Sequence, residues 1–85
     1  NILQDAINKA SIGATLKLRD GIYNGNIVID KPIIIIGIGN NVIIKGEDKD
    51  TVVTIKASNV TLRNITIKNG GNRIDKLDSA IFMNK

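Results

Sequence analysis

The sequence predicts an all-β fold in which short strands stack coil upon coil, entered through one N-terminal helix. Three observations lead to this. Ile and Val fill 23 of the 85 positions and the aromatics are only Tyr23 and Phe82, so the core is built from layered β-branched side chains instead of large rings. Apolar residues occur as short alternating doublets, the mark of strands buried on one face. The doublets also return at spacings in the twenties, as a repeat architecture requires.

The elements follow in order. Leu3, Ala6, Ile7 and Ala10 fall at i, i+3, i+4 and i+7, which predicts one short amphipathic helix over 2–11. Ser11-Ile12-Gly13 ends it, with Gly13 suited to a left-handed position after the last turn. Coils then fill 15–85. The doublets Leu16/Leu18, Val42/Ile44 and Ile65/Ile67 are related by shifts of 26 and 23. Ile27/Ile29, Val53/Ile55 and Ile81/Met83 are related by 26 and 28, and Ile33/Ile35 returns as Val60/Leu62 after 27. Three strands per coil and about three coils are expected, burying an aliphatic column that no single coil could bury alone. Pro32 sits at a strand start, where it forfeits no interior ladder bond. A competing arrangement is an antiparallel meander, because Tyr23-Asn24-Gly25-Asn26 is also a hairpin signal. That alternative accounts for Asn-Gly but leaves the threefold register as coincidence; in the stacked reading the same dipeptide is a bend in a longer loop.

Composition removes whole classes of chemistry. With no cysteine and no histidine there is no disulfide framework, Cys/His zinc site, thiol nucleophile or histidine-based triad in this stretch. The net charge of +4 is spread along the chain without a basic run or interleaved aromatics, which argues against nucleic acid. The longest apolar run, Ile33 to Ile36, is far too short to cross a bilayer, so no membrane insertion is expected.

Stacking turns sequence spacing into a map of neighbours, since parallel strands lie about 4.8 Å apart. Arg19, Lys45 and Lys68 each follow an inward doublet and are expected to line up as a basic stripe for an anionic ligand. Asp50 and Asp78 precede equivalent strands and are expected one above the other, an acidic pair able to bind Ca²⁺ or to split its pKa values. Asn41 and Asn64 read as turn asparagines bonding along the stack. Asp30 and Lys56 fall at matching positions on successive coils. Val28, Thr54 and Phe82, the outward residues of one face, offer no acid, base or nucleophile, so a complete active site is not expected here.

The run Leu3-Gln-Asp-Ala-Ile-Asn-Lys-Ala-Ser-x-Gly13, then Thr15-Leu-Lys-Leu18, Asp20-Gly-Ile-Tyr23, Ile27-Val-Ile-Asp-Lys-Pro32, Ile36-Gly37 and Ala57-Ser-Asn-Val-Thr-Leu62 resembles the N-terminal end of pectin-lyase-like proteins, right-handed parallel β-helices. The resemblance is to the carbohydrate-binding and sugar-hydrolase type that includes NosD-like periplasmic proteins. It covers nearly the whole chain. Ile12 stands where such sequences often carry Pro, and Ala14 where they often carry Asp. The resemblance implies a right-handed helix of strands with α-helical cap, in a secreted or periplasmic prokaryotic protein that binds or modifies polysaccharide, acidic glycan above all. The alternatives to that reading are a NosD-type accessory in copper delivery to nitrous oxide reductase and a purely structural surface β-helix. Such families include lyases, hydrolases and epimerases, but this segment is expected to be scaffold without a cofactor, with Ca or Cu possible in the parent protein. The fold is expected to continue past Lys85 or to pack end to end with copies of itself.

Overall fold

Helix α1 (Ile2–Lys9) forms where the apolar stripe predicts it, ending two residues short of the expected 11. It buries Leu3 and Ile7 and carries Asp5 in its first turn and Lys9 in its last, the order that complements the helix dipole. Gly13 follows at φ 84° and donates its N–H to the Pro32 carbonyl at 2.7 Å, so the left-handed residue both stops the helix and turns the chain toward the sheet. The computed structural model describes the backbone of residues 2–46, 52–69 and 73–82 and the side chains of 2–46 and 52–68.

Eight strands follow: β1 (Thr15–Leu18), β2 (Gly21–Asn24), β3 (Ile27–Ile29), β4 (Ile34–Gly37), β5 (Val42–Gly46), β6 (Val53–Ile55), β7 (Val60–Asn69) and β8 (Arg73–Phe82). Among themselves β1 to β7 pair in parallel, giving a mostly β fold with a curled parallel sheet. The larger sheet has the order β1-β4-β7-β5-β2, because ten-residue β7 pairs with β4 through 61–63 and with β5 through 66–69. β3 and β6 form a second, two-stranded sheet. Parallel neighbours cannot be joined by tight turns. Here the return path is the rest of a coil: Thr15 meets Ile34, 19 positions on, and Ile34 meets Thr61 after 27 more.

Three of the expected repeats hold in register. Ile35 lies beside Leu62, Ile27 and Ile29 beside Val53 and Ile55, and Ile44 beside Ile67. One is corrected at the first coil, where Leu16 and Leu18 lie beside Ile35 and Gly37 and not beneath Val42 and Ile44. The place beside Val42 and Ile44 belongs to Gly21 and Tyr23 of β2, a strand that the spacing of the doublets does not predict. The inward side of β2 is a glycine and a tyrosine, so it shows no aliphatic doublet, while its one Ile, Ile22, faces outward and is 67% exposed.

The last strand departs further. β8 runs antiparallel to β7 over nearly its whole length, with Ile81 opposite Thr61, so Ile81 does not form a third layer above Val53. Met83 lies outside the described residues. Only Gly70-Gly71-Asn72 separate the two strands, and a three-residue link can join antiparallel neighbours but not parallel ones. Val53 and Ile55 are accordingly only part-buried, whereas Ile27 and Ile29 beneath them are fully buried.

The core is aliphatic. Leu3 and Ile7 close it at the helix end, and Ile27, Ile29, Ile33, Ile35, Val42, Ile44, Val60, Leu62 and Ile65 fill it with at most 1% exposure. Among the described residues no polar or charged side chain is buried, and no helix is long and apolar enough to cross a membrane.

Candidate functional site: the outer face of the sheet corner

Two sheet halves meet at a corner after β1, after β4 and within β7. Asn64 makes the corner in β7 as a single residue at φ 56°, a left-handed conformation that Asn tolerates better than most residues. Its Nδ2 donates to the carbonyls of Gly37 at 2.8 Å and Gly39 at 2.7 Å, binding the third corner to the second. The second is bound to the first by the Asn41 N–H, which donates to Asp20 Oδ1 at 3.0 Å, and by the Gly21 N–H, which donates to the Asn41 carbonyl at 3.0 Å. Asn64 thus bonds along the stack through its side chain, as expected, while Asn41 does so through its backbone.

This corner is tight enough to fix residue types. A Cβ on Gly37 would overlap the Asn64 carbonyl oxygen, and one on Gly39 would overlap the Asp20 carboxylate. Tyr23 braces the first corner by donating its hydroxyl to the Arg19 carbonyl at 2.8 Å while its ring packs on the core.

The corner sets which side chains become neighbours on the outside. Lys45 and Lys68 are register partners on adjacent parallel strands, as the shift of 23 predicts. Arg19 does not share their row: Asn24 lies beside Lys45, and Arg19 is in the first corner between β1 and β2. The expected three-cation stripe is therefore a two-lysine row, with Arg19 displaced because β2 intervenes. The outward rows on either side of the corner run Lys17-Ile36-Arg63, then Ile22-Ile43-Thr66, then Asn24-Lys45-Lys68. Lys17, Arg19, Lys45 and Arg63 are exposed and Lys68 is half-buried.

The other sequence candidates are placed as follows. Asp78 falls on β8 between Leu77 and Ser79, whose partners on β7 are Ile65 and Arg63; Asp50 lies outside the described residues. Among the described residues no group of three or more acidic, histidine or cysteine side chains is gathered to hold a metal ion. Val28 and Thr54 are register partners on the smaller sheet, and Asp30 and Lys56 directly follow the paired Ile29 and Ile55.

The sequence reading missed the outward Ile22-Ile43 row between the cations. Its signal was present in Ile22 and Ile43, but it emerges only once β2 is a strand in register with β5. No family model, curated protein or solved structure matches the chain.

Proposed function

We propose that the chain is part of a right-handed parallel β-helix of the pectin-lyase-like class, in a periplasmic or extracellular protein, and that it binds an acidic polysaccharide through the outer face of the corner. The right hand follows from the rule that parallel crossovers wind that way in nearly all folds. The observation that supports binding is the register of Lys45 with Lys68. Two ammonium groups on strands about 4.8 Å apart repel, and a polymer with regularly spaced carboxylates relieves that repulsion by lying across the strands.

The contact is ionic in character. Tyr23 is the sole aromatic among the residues whose side chains are described, and its ring packs on the core, so no described ring offers a sugar-stacking platform on the outer rows. Among the residues whose side chains are described, the rows carry no carboxyl group beside these cations, which favours binding over catalysis by this segment.

The test is affinity electrophoresis through gels containing polygalacturonate or neutral dextran. The account expects retardation by polygalacturonate alone, lost in high salt and lost in the Lys45→Glu/Lys68→Glu double variant. Equal retardation by dextran, or an unchanged double variant, overturns it.

A further inference from the structure

The corner carries more than a pair of lysines. Ile22 is 67% exposed and Ile38 56% exposed, and Ile36 and Ile43 are partly exposed beside them. The Ile38 N–H is held by the Leu18 carbonyl at 2.9 Å, which keeps this residue on the second corner above Arg19. Ile22 and Ile43 are register partners on one sheet half, Ile36 lies between Lys17 and Arg63 on the other, and Ile38 follows β4 at the corner, so the four follow the outside of the bend as an apolar ridge. Lys17 and Arg63 flank it on one sheet half, and Lys45 and Lys68 on the other. Among the residues whose side chains are described, Asp20 is the acid within the corners, and its carboxylate is engaged by the Asn41 N–H.

We propose that this ridge is a peripheral docking surface for an anionic lipid membrane. The inward side chains of both halves fill the core, so the ridge lies on the convex side of the curl. A convex apolar strip cannot enclose a peptide as a groove does, but it can press between lipid headgroups. Flanking Lys and Arg side chains then keep their charged ends at the headgroup level while their stems extend the apolar surface. The charge pattern selects anionic headgroups, since each cation near such a surface adds to the attraction and the ridge alone is too small to hold the protein. The lipid is defined here by that chemistry, an acidic headgroup over acyl chains. This inference does not depend on the polysaccharide reading, with which it shares only Lys45 and Lys68.

The experiment is flotation of the 85-residue chain with vesicles of phosphatidylglycerol mixed equally with phosphatidylcholine, against vesicles of phosphatidylcholine alone. The chain is expected to float with the anionic vesicles only. The Ile22→Ser/Ile38→Ser variant changes two exposed side chains and no charge, and is expected to lose binding several-fold while keeping the circular dichroism and the polygalacturonate retardation of the parent. Lys17→Gln and Arg63→Gln, which leave Lys45 and Lys68 intact, are each expected to weaken flotation roughly fivefold. Flotation unaffected by the two serines would show adsorption by charge alone and overturn the ridge. Absence from the anionic vesicles would overturn the lipid assignment.

Discussion

The Gln4 side chain closes two hydrogen bonds with the Val28 peptide: Nε2 donates to the Val28 carbonyl at 3.0 Å, and the Val28 N–H donates to Oε1 at 2.8 Å. One side-chain amide thereby reproduces the donor and acceptor of a neighbouring strand. It is needed there because Ile27 and Ile29 bond upward to the residues on either side of β6, the Ile27 N–H donating to the Val52 carbonyl and the Lys56 N–H to the Ile29 carbonyl, which leaves the Val28 peptide facing the other way. Lys31 fastens the same helix from its other end, donating to the carbonyls of Asn8 and Ala10 at 3.0 Å each, where cations complement the helix dipole. The helix blunts an edge that would otherwise template pairing with another chain.

Gln4→Ala removes both bonds from a partly solvated edge and should cost about 1 kcal/mol in urea unfolding, with faster amide exchange at Val28. A variant as stable as its parent, with Val28 still protected, would show that the helix holds this edge by Leu3 and Ile7 alone.

Asn64 combines two roles that substitution can separate. Asn64→Ala loses both bonds to the Gly37 and Gly39 carbonyls and leaves a Cβ residue in the left-handed region, for a combined cost of about 2–3 kcal/mol. Asn64→Gly loses the bonds but not the conformation, so it should be the milder change by about 1 kcal/mol. Equal losses would mean that the backbone conformation contributes nothing.

The two corner glycines should differ. At Gly37 the obstruction is the Asn64 backbone, which moves only with the sheet, and Gly37→Ala should cost on the order of 3 kcal/mol. At Gly39 the obstruction is the Asp20 side chain, which can swing away at the expense of its bond to Asn41, so Gly39→Ala should cost about 1 kcal/mol. Thermal unfolding of the two variants checks the order.

Charge reversal at one end of the lysine row should stabilise. Lys68→Glu replaces repulsion with attraction beside Lys45 and should raise the free energy of urea unfolding by a fraction of a kcal/mol at low salt, with the gain vanishing at high salt. A salt-independent change would assign the effect to packing.

Much of this architecture was legible because inward aliphatic doublets on parallel strands must repeat with the coil. Ile33/Ile35 with Val60/Leu62, and Val42/Ile44 with Ile65/Ile67, were found by spacing alone. The reading failed where that signal is absent or outweighed. β2 presents Gly21 and Tyr23 to the inside and so offers no doublet to predict it; without that strand the spacing places Arg19 in a row it does not occupy. β8 shows the right alternation, but the Gly70-Gly71-Asn72 link is too short for a parallel return. The role of Gln4 has no spacing signature, since its partner lies 24 residues away on an edge that exists only after the coil has closed.

The register of the parallel coils is tested most directly by cysteine pairs, which the absence of native cysteine makes clean. Neighbouring parallel strands bring register partners to about 4.8 Å, within disulfide reach. Lys45→Cys/Lys68→Cys should cross-link under mild oxidation, and Arg19→Cys/Lys45→Cys should remain reduced under the same conditions. Closure of the 19–45 pair with the 45–68 pair left open would contradict the account.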